Sequence, residues 1–384
     1  MHTVIQRPLR RLALCLAACL MGTAAHVWAQ GVTDTEILFG QTTGITGPVA
    51  TSVKESNEGI KLYFDSVNAQ GGVFGRKLVM QSLDDKYDPK ISGENARKMV
   101  AENPPIAFLM PRGTPHTEAV AKVAKEAKIP VIAAGSGADI FHTPVNPLVF
   151  NLRTKIQTEM EKSVEHLQTL GIVRIALVHV GDSAGADARI GFERKMAELN
   201  LKPVLIGSYD LLTGDTGPVS EALVKANPQA TITVGAVTHI SGLIKRVRKL
   251  GNDMQFVTLS NNATKSFVTA LGGDARGVIV VQSFPNPRGN SGIVREIRHV
   301  ATSQGHPDMA ITQQTIEGFL SAKLVTEGLK RAGKKPTPQA LVVALDSIHD
   351  FDMGGFLVSY SPTDHTGGEF VEMSIIDSRG EFLQ

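Results

Sequence analysis

From Gln30 onward the hydrophobic pattern switches period again and again, from strand-like to helix-like and back, and this alternation constrains the fold more than any other feature. Ile37–Gly40 is a short apolar strand. Lys54–Asn68 then places Ile60, Tyr63, Phe64 and Val67 on one helical face, and Gly71-Gly72 stops that helix. Leu78–Leu83, Ile106–Met110 and Val131–Ala134 are the next strands, separated by helices over Ile91–Ala101 and Glu118–Lys128. Parallel strands need crossovers, so this β-α-β-α-β order predicts a parallel sheet with helices on both faces.

The pattern then starts again. Ile156–Leu170 is an amphipathic helix and Arg174–Val180 a strongly apolar strand, followed by a helix that includes Phe192–Leu199. Strands at Val204–Ser208, Ile232–Val234, Phe256–Leu259 and Val278–Val281 alternate with helices near Val219–Ala226, Leu243–Leu250 and Phe267–Leu271. Two doubly wound α/β units therefore follow one another without a low-complexity linker. Later come helices at Ile293–Ser303, Ile311–Ala332 and Gln339–Ser347, and a tail that reads as a hairpin of Phe356–Ser359 with Phe370–Ile376. Periodicity alone does not say which unit these late elements join.

The 384 residues carry 39 basic and 37 acidic side chains. This near-balance excludes the basic footprint of a nucleic-acid binder and the high charge of a disordered chain. Arg7, Arg10 and Arg11, the apolar run Leu12–Met21 and the small-residue site Val27-Trp28-Ala29 read as a secretory signal over residues 1–29, with cleavage after Ala29 and export from the cytosol. Leu16-Ala17-Ala18-Cys19 also fits a lipoprotein box, the alternative processing site. Cys15 and Cys19 are the chain's two cysteines, so the exported part folds without disulfides.

Gly181-Asp182-Ser183-Ala184-Gly185 fits G-x-S-x-G between a strand and a helix, where a nucleophile elbow belongs. It supports an alternative reading as a secreted serine esterase, with Ser183 as nucleophile, His365 as base and Asp350 or Asp352 as acid. Against this, no His-Gly-Gly stretch precedes the motif, and Gly and Ser equally suit a tight turn and helix cap. No Walker A, HExxH or CxxC pattern is present, so neither cofactor nor metal is expected.

Pro111–Glu118 follows the third strand and opens a helix, at the carboxyl edge of a parallel sheet where open α/β folds bind ligands. Free N–H groups there attract anions, and Thr114, His116 and Thr117 offer side-chain donors, with Pro115 suited to the first turn. Gly135-Ser136-Gly137 follows the fourth strand and reaches toward the same point. Together the two loops suit a carboxylate.

Three segments carry a resemblance: Gly44–Ala50 (GITGPVA), Val67–Leu78 (VNAQGGVFGRKL) and Asp84–Lys90 (DDKYDPK). Together they resemble the periplasmic leucine/isoleucine/valine-binding proteins of ABC importers, and the likeness runs the length of the chain after the signal. It implies a type I periplasmic binding protein fold, with two Rossmann-like lobes joined by a three-strand hinge. Lobe 1 would be residues 30–152 plus 285–360, and lobe 2 residues 153–284 plus 361–384. The crossings would fall near Asn151–Thr154, Ser283–Asn286 and Tyr360, which assigns the late helices to the first lobe.

The resemblance implies a solute-binding role without chemistry, a membrane permease as partner and a monomeric chain; a ligand-sensing subunit of a signalling receptor is a variant of the same reading. Carried over, the carboxylate loop falls on Thr114, Pro115, His116 and Thr117, with Arg112 beside it and Ser136 and Gly137 opposite. The second lobe contributes Ser183, Ala184, Val237, Ser260 and Asn261, and Gln313 joins the polar set. Where the family often has pocket aromatics this chain has Ser52, Ala184 and Val237, and Ser260 replaces the acid that would take an α-ammonium. The expected ligand is therefore a small carboxylate, an amino acid or an organic or aromatic acid, with the missing acid favouring one without an amine.

Overall fold

The computed structural model describes residues 30–383; the signal and Cys19 readings lie outside them. The first sheet is built from β1 (Glu36–Thr43), β2 (Lys77–Asp84), β3 (Ala107–Leu109), β4 (Val131–Ile132) and β5 (Val149–Phe150), in the order β2-β1-β3-β4-β5. All its pairings are parallel. The crossovers are α1 (Ala50–Ala69), α2 (Pro89–Glu102) and α3 (Thr114–Ala127). Strands β3 and β4 are shorter than their apolar runs. Met110 and Ala133, just beyond them, adopt positive φ of 56° and 52°, which bends each chain out of the ladder.

A second sheet takes α4 (Ile156–Thr169), β6 (Ile175–Val180), α5 (Ser183–Glu198), β7 (Leu205–Tyr209), α6 (Gly217–Ala226), β8 (Ala230–Val234), α7 (Val237–Lys249), β9 (Gln255–Thr258), α8 (Lys265–Leu271) and β10 (Ile279–Gln282). Every residue of β6 and β8 is buried, as expected of central parallel strands covered on both faces. Next come α9 (Gly292–Ser303), α10 (Gln313–Ala332), α11 (Pro338–Asp346), β11 (Phe351–Asp352), β12 (Leu357–Ser361), β13 (Asp364–Gly367), β14 (Glu372–Ile376) and β15 (Phe382–Leu383). The second sheet runs β15-β14-β10-β9-β8-β6-β7, with β14 antiparallel to β10.

The tail is not the hairpin expected from its pattern. β12 pairs with β13, while Phe370–Ile376 supplies β14 of the second sheet. Alternating residues show that a segment is a strand without naming its partner.

Helix α10 is buried along 15 of its 20 residues, which leaves only a narrow solvent strip of Lys323, Glu327, Lys330 and Arg331. It lies in the core of the first sheet, with Ile316, Phe319, Leu320 and Val325 among Ile60, Phe64 and Phe39. Its backbone approaches α1 through two glycines: a Cβ on Gly318 would meet the Ser56 carbonyl at 1.9 Å, and one on Gly59 the Thr315 carbonyl at 2.1 Å. Separate apolar clusters fill the two faces of the second sheet. Among the described residues no helix is long and apolar enough to cross a membrane.

Candidate functional site

The carboxyl edges of the two parallel sheets face one another across a cleft of about 760 Å³, open solvent at its mouth included. On the first side, the β3–α3 and β4 loops are laced together. Gly135 N–H donates to the Pro111 carbonyl at 2.8 Å, and Arg112 and Gly135 form a parallel bridge. Thr114 and Ser136, both buried, join their hydroxyls at 2.7 Å. Gly113 caps α3 with φ +96°, and a Cβ there would meet His116 Nδ1 at 2.6 Å.

A charged chain runs along the base of the cleft. Arg153 Nη1 donates to Glu317 Oε1 at 3.0 Å, and Arg112 Nη1 lies 3.5 Å from Glu317 Oε2, too far for a hydrogen bond. Arg153 Nη2 donates to Ser260 Oγ at 2.5 Å. Ser260 in turn gives its hydroxyl to Glu159 Oε1 at 2.6 Å and its N–H to Oε2 at 2.8 Å. All five residues are no more than 5% exposed. Burial pushes the Glu159 carboxyl up and the Arg112 guanidinium down from their ordinary ranges, and Glu317 beside Arg112 opposes the latter shift.

The second side contributes Ala184, Val237, Ser260 and Asn261 to the wall, with Asp182, Leu211 and Ala236. Asp182 is the N-cap of α5, its carboxylate accepting from the Gly185 N–H at 2.9 Å. Burial raises its pKa. The cleft is thus not devoid of acids. Ser260 does replace one, but Glu159 holds Ser260 and lines the cavity, and Asp182 lines it too. The argument for a ligand without an amine therefore loses its premise.

Of the residues singled out from sequence, Arg112, Thr114, Ser136, Gly137, Ala184, Val237, Ser260 and Asn261 line the cleft, as does Ser52. Pro115, His116, Thr117 and Ser183 are not on its wall. Pro115 sits in the first turn of α3. His116 is fully buried behind Tyr87, the rings stacked at 4.3 Å, and burial lowers its pKa. Thr117 Oγ1 donates back to the Pro111 carbonyl. Gln313 turns its amide to the backbone of Phe284 and Pro285 and is not on the wall.

The elbow reading is corrected as well. Ser183 is the first residue of α5, and its Oγ is buried without a hydrogen-bond partner. His365 lies against the first sheet, stacked on Phe150, with its ring nitrogens on the Val149 carbonyl and Asp346. Asp350 bonds Ser359, and Asp352 accepts from Gly354 and Gly355. The motif is a helix cap.

Tyr87, Arg153, Glu159, Asp182 and Glu317 escaped the sequence reading. Glu159 had a signal, since an acid at its position interrupts the apolar stripe of Ile156, Met160 and Val164. Glu317 had a similar one, lying beside Ile316 and Phe319 in an otherwise apolar stretch.

A family model described as periplasmic binding protein matches residues 36–377. The chain belongs to that family. Its solved relatives include a substrate-binding periplasmic protein from Ralstonia solanacearum, 28% identical with a TM-score of 0.85, covering 91% of this chain and 100% of that one. A branched-chain amino acid ABC transporter protein from Thermus thermophilus with bound valine, 17% identical, shares the fold with a TM-score of 0.81 over 92% of this chain and 96% of its own. The leucine-specific-binding protein of Salmonella typhimurium is 20% identical over 79% of this chain and 83% of its own length. The type I fold of two α/β lobes is thereby established, and the family's members bind solutes and are not enzymes.

Proposed function

We propose that this periplasmic binding protein is the substrate-binding component of an ABC importer, capturing a small carboxylate between its lobes and releasing it unchanged to a membrane permease. One observation carries the choice of carboxylate. Arg112 is buried on the cleft wall, its contact with Glu317 (Nη1 to Oε2, 3.5 Å) falls short of a hydrogen bond, and the Thr114–Ser136 hydroxyl pair shares that wall. A buried guanidinium left incompletely paired is costly, and an anion relieves it. Names among the relatives, leucine and valine binders included, support an amino or related organic acid.

In this reading the carboxylate docks at Arg112, Thr114, Ser136 and Gly137, and Ala184, Val237, Ser260 and Asn261 close over it. The ligand favours the shut form by the contacts it adds there. The crossings lie at 151–154 and 283–286, and we place the third between β13 and β14, after Gly367 rather than near Tyr360. Residues 1–29 act as the export signal.

A thermal-shift screen of amino acids, aliphatic acids and aromatic acids tests the proposal. Ligand at ~100 times its Kd adds about 2.7 kcal/mol, a plainly visible shift. Small-angle scattering should show contraction with the same compound. Stabilisation by neutral sugars or amides, with none by any carboxylate, would overturn the reading.

A further inference from the structure

Glu317 does not touch the cleft, yet it governs the charge of its wall. A single buried carboxylate faces two guanidiniums, Arg153 at 3.0 Å and Arg112 at 3.5 Å. In the immediate surroundings of Glu317 the count is two cations to one anion; Glu159, joined to Arg153 only through Ser260, is the next carboxylate along the chain. Across the cleft, Glu159 and Asp182 put two carboxyls on the second wall, where a second ligand carboxylate would meet like charge. We propose that Glu317 is a positioning residue that gives its hydrogen bond to Arg153, leaves Arg112 without a hydrogen-bonded carboxylate of its own, and so tunes the cleft to monocarboxylates over dicarboxylates. The inference rests on the carboxylate reading above and adds the charge of the ligand to it.

Glu317 is suited to this by its place. It sits one turn into α10, 1% exposed, on a helix whose backbone is locked against α1. Buried there, it stays between the two arginines, so the way its charge is shared between them is set by the fold rather than by solvent. Glu317→Gln raises the net positive count around it from one to two. Glu317→Asp keeps the count and lengthens the reach. Glu317→Gln with Arg153→Met returns the count to one, and Arg153→Met alone brings it to zero.

The test is calorimetric titration of the protein with matched pairs: leucine and glutamate, pentanoate and glutarate, benzoate and phthalate. The wild type should prefer the monocarboxylate in each pair that binds. In Glu317→Gln the mono-to-dicarboxylate affinity ratio should fall by about tenfold or more, and in the double variant it should return toward wild type. Glu317→Asp should keep the wild-type preference. Should Glu317→Gln fail to fold, Arg153→Met alone decides: monocarboxylate affinity should drop about tenfold without any gain for the dicarboxylate. Equal weakening of both members of a pair in Glu317→Gln, or a wild-type preference for dicarboxylates, overturns the inference and leaves the carboxylate reading standing. No binding by any of the six compounds overturns both.

Discussion

Tyr87 lies flat against His116, their ring centroids 4.3 Å apart and their planes 21° from parallel. The pair explains how a histidine at a promising helix start is withheld from the cleft: Tyr87 faces the cavity and His116 backs it. Tyr87 is itself held in an unusual backbone conformation, φ 60°, by Asp85, whose carboxylate accepts its N–H at 2.9 Å. Neither ring nitrogen of His116 makes a hydrogen bond of good geometry, the Tyr87 backbone being the one polar group that bears on the ring, so its imidazole acts here mainly by shape. His116→Phe should therefore be neutral or stabilising, whereas His116→Ala should cost about 2–4 kcal/mol through the void behind Tyr87. Chemical denaturation of the two variants decides; equal losses in both would mean that the nitrogens matter.

The hydroxyl pair on the anion wall gives a second expectation. Thr114→Val and Ser136→Ala each remove a buried partner from the 2.7 Å contact and from any carboxylate docked there. Each should weaken ligand binding by about 1–2 kcal/mol, roughly five- to thirtyfold in Kd. Ser183→Ala, off the wall, should stay within about twofold of the wild type. Calorimetry with whichever carboxylate the thermal screen selects measures all three, and a large loss in Ser183→Ala alone would reverse the assignment.

The α1–α10 contact predicts a contrast between glycines. Gly318→Ala drives a methyl into the Ser56 carbonyl and should destabilise by about 3 kcal/mol, because two buried helices must separate. Gly242→Ala, within α7 and with nothing within 4 Å of its added Cβ, should stabilise by about 0.5–1 kcal/mol. Melting curves of the two variants should move in opposite directions.

The same contact shows what could be read from sequence and what could not. β6 was legible because a strand covered on both faces is nearly continuously apolar, and Ile175–Val180 is broken only by His179. The cleft-lining loops of the first side were legible because strand ends and helix starts leave local signatures at Arg112–Thr114 and Gly135–Gly137. Helix α10 gave little direction, since only a narrow strip of it, Lys323, Glu327, Lys330 and Arg331, is left outside the core. Glu159 and Glu317 needed the third dimension to acquire meaning: each is an acid on an apolar helix, and its partners come from 101 and 164 residues away. The β13–β14 step was misread for the same reason, as partner choice is non-local.

Two buried groups set opposing pH dependences of stability. Burial raises the Asp85 carboxyl to about 6, against the hydrogen bonds from Ser92 and the Tyr87 N–H that lower it. Because the folded state holds that proton more tightly than the unfolded chain, its stabilisation is full below about pH 4 and is lost as pH rises through 6. Burial lowers His142 to about 4, and Lys155 nearby adds to the shift. There the unfolded chain binds the proton more readily, so stability is full above about pH 6.5 and is lost as pH falls through 4. The wild-type profile between pH 4 and 6.5 should accordingly be shallow, because the two slopes oppose each other. His142→Phe removes one of them, and its stability should fall as pH rises across that window, by roughly 2–3 kcal/mol in all. Asp85→Asn removes the other, and its stability should climb over the same range by a similar amount. Urea unfolding at half-unit pH steps measures both slopes; parallel profiles for the two variants would show that neither group titrates as its burial dictates.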